Sequence, residues 1–92
     1  MRDPKERVDN EAARKSAKEM MTAVLAKEPR GWSAEPGSVT RMKYVHPNGH
    51  GFVLWHRGSW AWIAVPNGHQ LEKGECLLPE AAMLEVTNRI NQ

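Results

Sequence analysis

From Arg41 to Glu72 apolar and polar positions alternate in twos, and three tight-turn dipeptides, Asn48-Gly49, Arg57-Gly58 and Asn67-Gly68, cut the run into short pieces. Alternation of this kind marks strands with two distinct faces. Asn-Gly is the strongest short hairpin signal, because both central residues of the favoured turn need positive φ and these two types tolerate it best. The pattern predicts an antiparallel meander with strands near 39–46, 50–56, 59–66 and 69–72. Two-residue turns then set Tyr44 opposite Val53, Met42 opposite Trp55, Trp55 opposite Trp60, Val53 opposite Trp62, and Ala64 opposite Leu71. One face collects Met42, Tyr44, Val53, Trp55, Trp60, Trp62 and Leu71. The other collects Arg41, Lys43, Val45, Phe52, Leu54, His56, Ala61, Ile63, Val65 and Glu72. The first face is large, aromatic and uncharged; the second has an aliphatic centre and a charged margin.

On either side of the meander the spacing becomes helical. Ala13, Ala17, Met20, Met21, Val24 and Leu25 recur at three- to four-residue intervals and predict an N-terminal helix, ended by Pro29 and Gly31. Its start reads as Asp3-Pro4-Lys5-Glu6, with Asp3 as cap, Pro4 at the first helical position and Glu6 completing a capping box. Asp9-Asn10 offers a later start. The stripe is strong only in its second half, so residues 1–10 are expected to be disordered or to fray. Trp32–Ser38 reads as a loop turning at Pro36-Gly37. Leu77-Leu78-Pro79-Glu80 opens a last helix near 79–90, with Ala82, Met83, Val86 and Ile90 as its apolar stripe. The expected class is α+β: a long N-terminal helix, a three- to four-stranded antiparallel β-meander and a short C-terminal helix. Ninety-two residues form a single small domain (1–92) with a modest core.

The placement of the helices decides what the second face is for. Tyr44, Trp55, Trp60 and Trp62 fit a stacking platform for nucleobases or a hydrophobic core. Core is favoured, since each aromatic buries roughly 150–250 Å² and no base is interleaved among them. If both helices take the tryptophan face, the second face stays open and presents a patch for a partner or for a second copy of the chain. If the helices split, one to each face, no patch is left.

Composition narrows the choice by exclusion. No apolar run reaches the roughly 18–20 residues of a membrane span. The N-terminal residues mix acids and bases and carry no apolar segment, unlike a secretory or mitochondrial targeting peptide. The lone Cys76 leaves no intrachain disulfide framework and no cysteine-rich zinc module. A reducing cytoplasm is the expected location. The net charge of +2 is too small to imply a polyanionic partner.

Candidate chemistry is sparse. His46, His50 and His69 fall near turns at the same end of a meander and would be the members of a three-histidine metal site, but no ligand spacing supports one. Cys76 lacks any nucleophile signature and reads as a buried structural thiol. Glu72, Glu75 and Glu80 read as a solvated acidic edge. The glycines are spaced as turn residues, not as a phosphate cradle. Pro-Asn-Gly-His occurs twice, at 47–50 and 66–69, which fits either an old hairpin duplication or recurrent turn chemistry. Arg14, Lys15, Lys18, Arg41, Lys43 and Arg57 are the bases available to a phosphate backbone.

The order helix–strands–helix resembles the double-stranded RNA-binding domain. The last helix here, PEAAMLEVTNRINQ, departs from that family by lacking its lysine-rich start. Met42-Lys43-Tyr44-Val45, with Lys73-Gly74 leading to Pro79-Glu80, is similar to segments of single-stranded-DNA-binding coactivators of the positive-cofactor-four type. The strands between them do not match in number. No functional residue is carried over from either family.

The leading expectation is a small non-catalytic protein-binding module, an adaptor or inhibitor of the kind phages and mobile elements encode. Its contact set would be Arg41, Lys43, Val45, Phe52, Leu54, His56, Arg57 and Ile63. Apolar members supply area, and charges set register and rate of approach. No cofactor and no metal is expected. The rival reading is a regulatory protein that binds single-stranded DNA or RNA with the basic and aromatic residues of the sheet. A homodimer through the second face is compatible with both.

Overall fold

Alternation and helical spacing resolve, in the computed structural model, into α1 (Pro4–Leu25), β1 (Trp32–Ala34), β2 (Arg41–His46), β3 (Gly49–His56), β4 (Ser59–Pro66), β5 (Glu72–Cys76) and α2 (Pro79–Ile90). The described residues are 4–38 and 40–91, with side chains from residue 11 onward. The cap expected of Asp3 lies outside them. The frayed start expected of 1–10 falls partly outside them too; the backbone from Pro4 is helical.

The class is α+β. The five strands run in the order β1-β2-β3-β4-β5, every neighbour antiparallel, so the sheet is a meander with more strands than the three to four expected. The extra strand is β1, within the Trp32–Ser38 segment expected to be a loop. Three residues cannot display a period, yet Trp32, Ser33 and Ala34 pair with Tyr44, Lys43 and Met42. Entry into β1 follows from the end of α1. Glu28 takes a left-handed φ of 52° just past the helix, and Pro29 bars its continuation. Gly31 at φ 86° then passes so close to Tyr44 that a Cβ there would sit 2.8 Å from the ring.

Two of the three turns differ from the expected ones. Arg57 and Gly58 both have positive φ, 48° and 84°, and form the anticipated two-residue turn, with Trp55 opposite Trp60. In the first hairpin Tyr44 lies opposite Gly51 and Met42 opposite Val53, a shift of two residues from the expected register. The loop is Pro47-Asn48, not Asn48-Gly49. Proline locks its own φ negative, so Pro47 suits the first central position of an ordinary turn and rules out the mirror-image one. In the third connection the His69 amide bonds the Pro66 carbonyl (3.2 Å) around Asn67-Gly68, and the chain continues to Leu71 before pairing resumes. The last strand is thus 72–76, not 69–72, and Ala64 faces Glu72 instead of Leu71. Leu71 leaves the tryptophan face and is half exposed, while Glu72 moves onto that face at its edge.

Because the first slip is an even number, it moves no side chain of β2 or β3 to the other face. Met42, Tyr44, Val53, Trp60, Trp62 and Ala64 are all buried, and with Ala17, Met21 and Val24 of α1 and Ala82, Met83, Val86 and Ile90 of α2 they form one core. Both helices therefore lie on the tryptophan face. α2 can sit close because Gly51 makes room for it, and Gly74 makes room for the Trp62 ring. A Cβ on Gly51 would collide with Val86 of α2 and stand 2.7 Å from the Ile63 carbonyl; one on Gly74 would stand 2.8 Å from the Trp62 ring. These two are close-approach glycines, where the sequence reading took every glycine for a turn residue. Arg89 anchors the same C-terminal half of α2. Its guanidinium bonds Glu72 (3.3 Å) and Glu85 (3.0 Å) and lies 4.8 Å over Trp62. Asn91 Nδ2 donates to the Tyr44 hydroxyl at 3.1 Å.

Gly51→Ala should therefore destabilise the fold by about 1–3 kcal/mol, the usual cost of forcing a methyl into a filled site. Ser33→Ala, on an exposed edge position, should change stability by less than about 0.5 kcal/mol. Urea unfolding reads both. A Gly51→Ala loss as small as that of Ser33→Ala would mean that α2 does not rest on this strand.

Candidate functional site

With both helices on one side, the opposite side of the sheet has no element over it among the described residues. Its side chains fall into rows that cross the strands. Arg41, Leu54, Ala61 and Glu75 form one row; Lys43, Phe52, Ile63 and Lys73 form the next; Val45, His50 and Val65 form a third. Ser33 extends the middle row onto β1. Glu35, whose amide bonds the Arg41 carbonyl at 2.9 Å, closes the first. The apolar residues of the two central strands, Phe52, Leu54, Ala61, Ile63 and Val65, make a continuous band along β3 and β4. None of them is buried and all are partly exposed to solvent. Val45 beside the band is 58% exposed.

Phe52 is the centre of this surface. Arg41 lies over its ring at 4.6 Å, and His50 meets it edge-on with centroids 5.9 Å apart. A cation over a ring at a site of this exposure is worth about 0.5–1 kcal/mol. That is enough to orient Arg41 across the ring.

The expected contact residues divide as follows. Arg41, Lys43, Val45, Phe52, Leu54, His56 and Ile63 share the open face. Arg57 sits in the β3–β4 turn, beyond the last pair His56–Ser59. Lys73 and Glu75 also belong to the face and were missed, because the strand that carries them was expected to end at 72. The signal was present: Lys73 and Glu75 alternate with Gly74 and Cys76 just before the Leu77-Leu78-Pro79 helix start.

The other candidates do not assemble. Trp60 is 1% exposed and Trp62 6%, so they are core and not a stacking platform. His46 and His50 belong to opposite faces by alternation. His46 Nδ1 accepts from the Asn48 amide at 3.0 Å and its ring stacks on Tyr44, so it does not meet His50 and His69 around a common point. Among the described residues no three His, Cys, Asp or Glu side chains come together as metal ligands. The two Pro-Asn-Gly-His turns do meet: Asn67 donates from its amide to the Asn48 carbonyl and from Nδ2 to the Pro47 carbonyl, both at 2.8 Å. The repeat thus ties two hairpins together. Glu72 is held by Arg89, Glu75 lies on the opposite face, and Glu80 is 3.8 Å from Lys27 in the turn after α1, so the three acids do not pair. Arg14, Lys15 and Lys18 are exposed on α1, across the sheet from Arg41 and Lys43, and do not extend the basic margin. Among the described residues no helix is long and apolar enough to cross a membrane.

No family model matches the chain, and neither a curated protein nor a solved structure matches it.

Cys76 packs partly buried beside the core at the edge of the tryptophan face, in the row of Trp60. Burial pushes its thiol pKa up, and the Glu85 carboxylate adds to the shift. The thiol is consequently protonated and a poor nucleophile at neutral pH. Alkylation by iodoacetamide should show a pH midpoint above that of the same thiol in urea. A midpoint at or below the unfolded value would contradict this placement.

Proposed function

We propose that this chain is a non-catalytic protein-binding module whose docking surface is the open sheet face. The observation that carries the proposal is the band of Phe52, Leu54, Ala61, Ile63 and Val65, partly exposed on the two central strands of a sheet whose helices are both spent on the other side. A small domain with a limited number of large apolar side chains leaves such a band in water only at a cost, which a partner removes. Area comes from the band. Arg41, Lys43 and His56 at its margin set register and approach rate. The role fits an adaptor or inhibitor acting in a reducing cytoplasm, such as mobile elements carry.

The nucleic-acid reading has less support. Of the sheet's large aromatic rings, Phe52 lies on the open face, the tryptophans lie in or against the core, and Glu35 and Glu75 close the row that Arg41 opens. Phosphate-driven affinity falls steeply with salt, whereas an apolar interface hardly responds.

Affinity capture from the source lysate, with wild-type chain and Phe52→Asp side by side, tests the reading. Phe52→Asp should cost less than about 1 kcal/mol of stability, since the side chain is outside the core. Wild type should retain a protein that resists nuclease and about 0.5 M salt, and Phe52→Asp should lose it. Retention that vanishes with nuclease or salt would put nucleic-acid binding in first place. Retention unchanged by Phe52→Asp would place the interface elsewhere.

A further inference from the structure

The charge layout of the open face goes further and specifies the partner's chemistry; this step rests on the protein-binding reading above. In the middle row, Lys43 on β2 and Lys73 on β5 stand on either side of Phe52 and Ile63. Three strand spacings separate the two lysines, about 14 Å. An α-helix with its side chains is about 10–12 Å wide. The band between the lysines runs along the strands from the Leu54–Ala61 pair to the His50–Val65 pair. Four strand residues span about 14 Å. That is roughly nine residues of helix at 1.5 Å each, or two and a half turns.

We infer that the occupant of this face is an amphipathic α-helix of another protein, lying along β3 and β4, with carboxylates flanking its apolar stripe on both sides. Its stripe at i, i+3 or i+4, and i+7 covers Phe52 and Ile63. Its flanking Asp or Glu side chains reach Lys43 on one side and Lys73 on the other. Arg41 adds a second cation on the β2 side, whereas Glu75 on the β5 side asks for a base or a neutral residue at that corner.

The same layout disfavours one of the two symmetric ways of seating a second copy. A two-fold axis across the strands at the middle row sets Lys43 against Lys43 and Lys73 against Lys73, like charges in direct opposition. An axis parallel to the strands sets Lys43 against Lys73 of the other copy but also Arg41 against its Glu75, so attraction there offsets repulsion. The chain's own first helix is unsuited, because Arg14, Lys15 and Lys18 stand along its exposed side.

Two synthetic helical peptides of about 18 residues, long enough to hold several turns, test the inference. Both carry a leucine stripe; one flanks it with glutamates, its twin with lysines. Each is titrated into the full chain by calorimetry, and amide shifts in two-dimensional NMR locate the contact. The glutamate peptide should bind at least about tenfold tighter, with shifts centred on Phe52 and Ile63. The Lys43→Glu/Lys73→Glu double variant should reverse the preference, and Phe52→Asp should abolish binding of both. Equal affinity for the two peptides, with shifts still on Phe52 and Ile63, would overturn the acidic-helix partner and leave the face as a protein-binding surface. Binding of neither peptide, or shifts confined to other surfaces, would overturn the inference. Shifts at Phe52 produced by an oligothymidylate and by neither peptide would overturn the protein-binding reading too. A salt-resistant dimer in sedimentation equilibrium that Phe52→Asp dissociates would show a second copy on the face and overturn the inference as well.

Discussion

The structure depends on one constraint: two helices share a single aromatic face. Trp60, Trp62, Tyr44, Met42 and Val53 all project to the same side of the sheet, and they are the large apolar side chains of the strands that are buried. α2 reaches this face because Gly51 lets Val86 and Ile90 approach the strand backbone closely, while Gly74 makes room for the Trp62 ring. α1 closes the remainder with Ala17, Met21 and Val24. With both helices committed there, no element of the described residues covers the other side. The open face is thus a consequence of where the tryptophans point, and its availability follows from packing on the opposite surface.

The two faces differ in what they ask of the molecule. The tryptophan face is closed by area, with polar tips engaged at its rim: the Tyr44 hydroxyl by Asn91, and the two terminal nitrogens of Arg89 by carboxylates, with the guanidinium over the Trp62 ring. The open face has a narrower aliphatic band, with Arg41 lying across Phe52 and lysines on both flanks. Lysines beside an exposed band discourage indiscriminate association of sheets. Under the proposed function the same charges would also select a partner by complementarity.

Face membership was legible in the sequence, and strand register was less so. Alternation from Arg41 to Pro66 assigns each side chain to a side without knowing where the turns close, and an even slip leaves that assignment intact. Register was lost at Pro47, whose fixed φ outweighed the Asn-Gly signal beside it, and at Pro66–Leu71, where a turn is followed by unpaired residues before β5 begins. That second miss hid Lys73 and Glu75 from the candidate site. β1 was invisible because three residues have no period. The roles of Gly51 and Gly74 depend on what packs over them, Val86 of α2 in one case and the Trp62 ring in the other, a tertiary fact no local pattern contains. The core could be named from periodicity, but whether the second face was covered could not, since the weak stripe of α1 is compatible with either side.

The most direct measurement is the exposure of individual methyl groups to a soluble paramagnetic chelate, read by NMR at concentrations where the chain is monomeric. The account predicts strong relaxation enhancement at Ile63, Leu54, Val65 and Val45, and almost none at Val53 and Val86, which are fully buried. If Ile63 and Leu54 were as protected as Val53 in the monomer, some part of the chain would already cover that side of the sheet, and the open face would not exist.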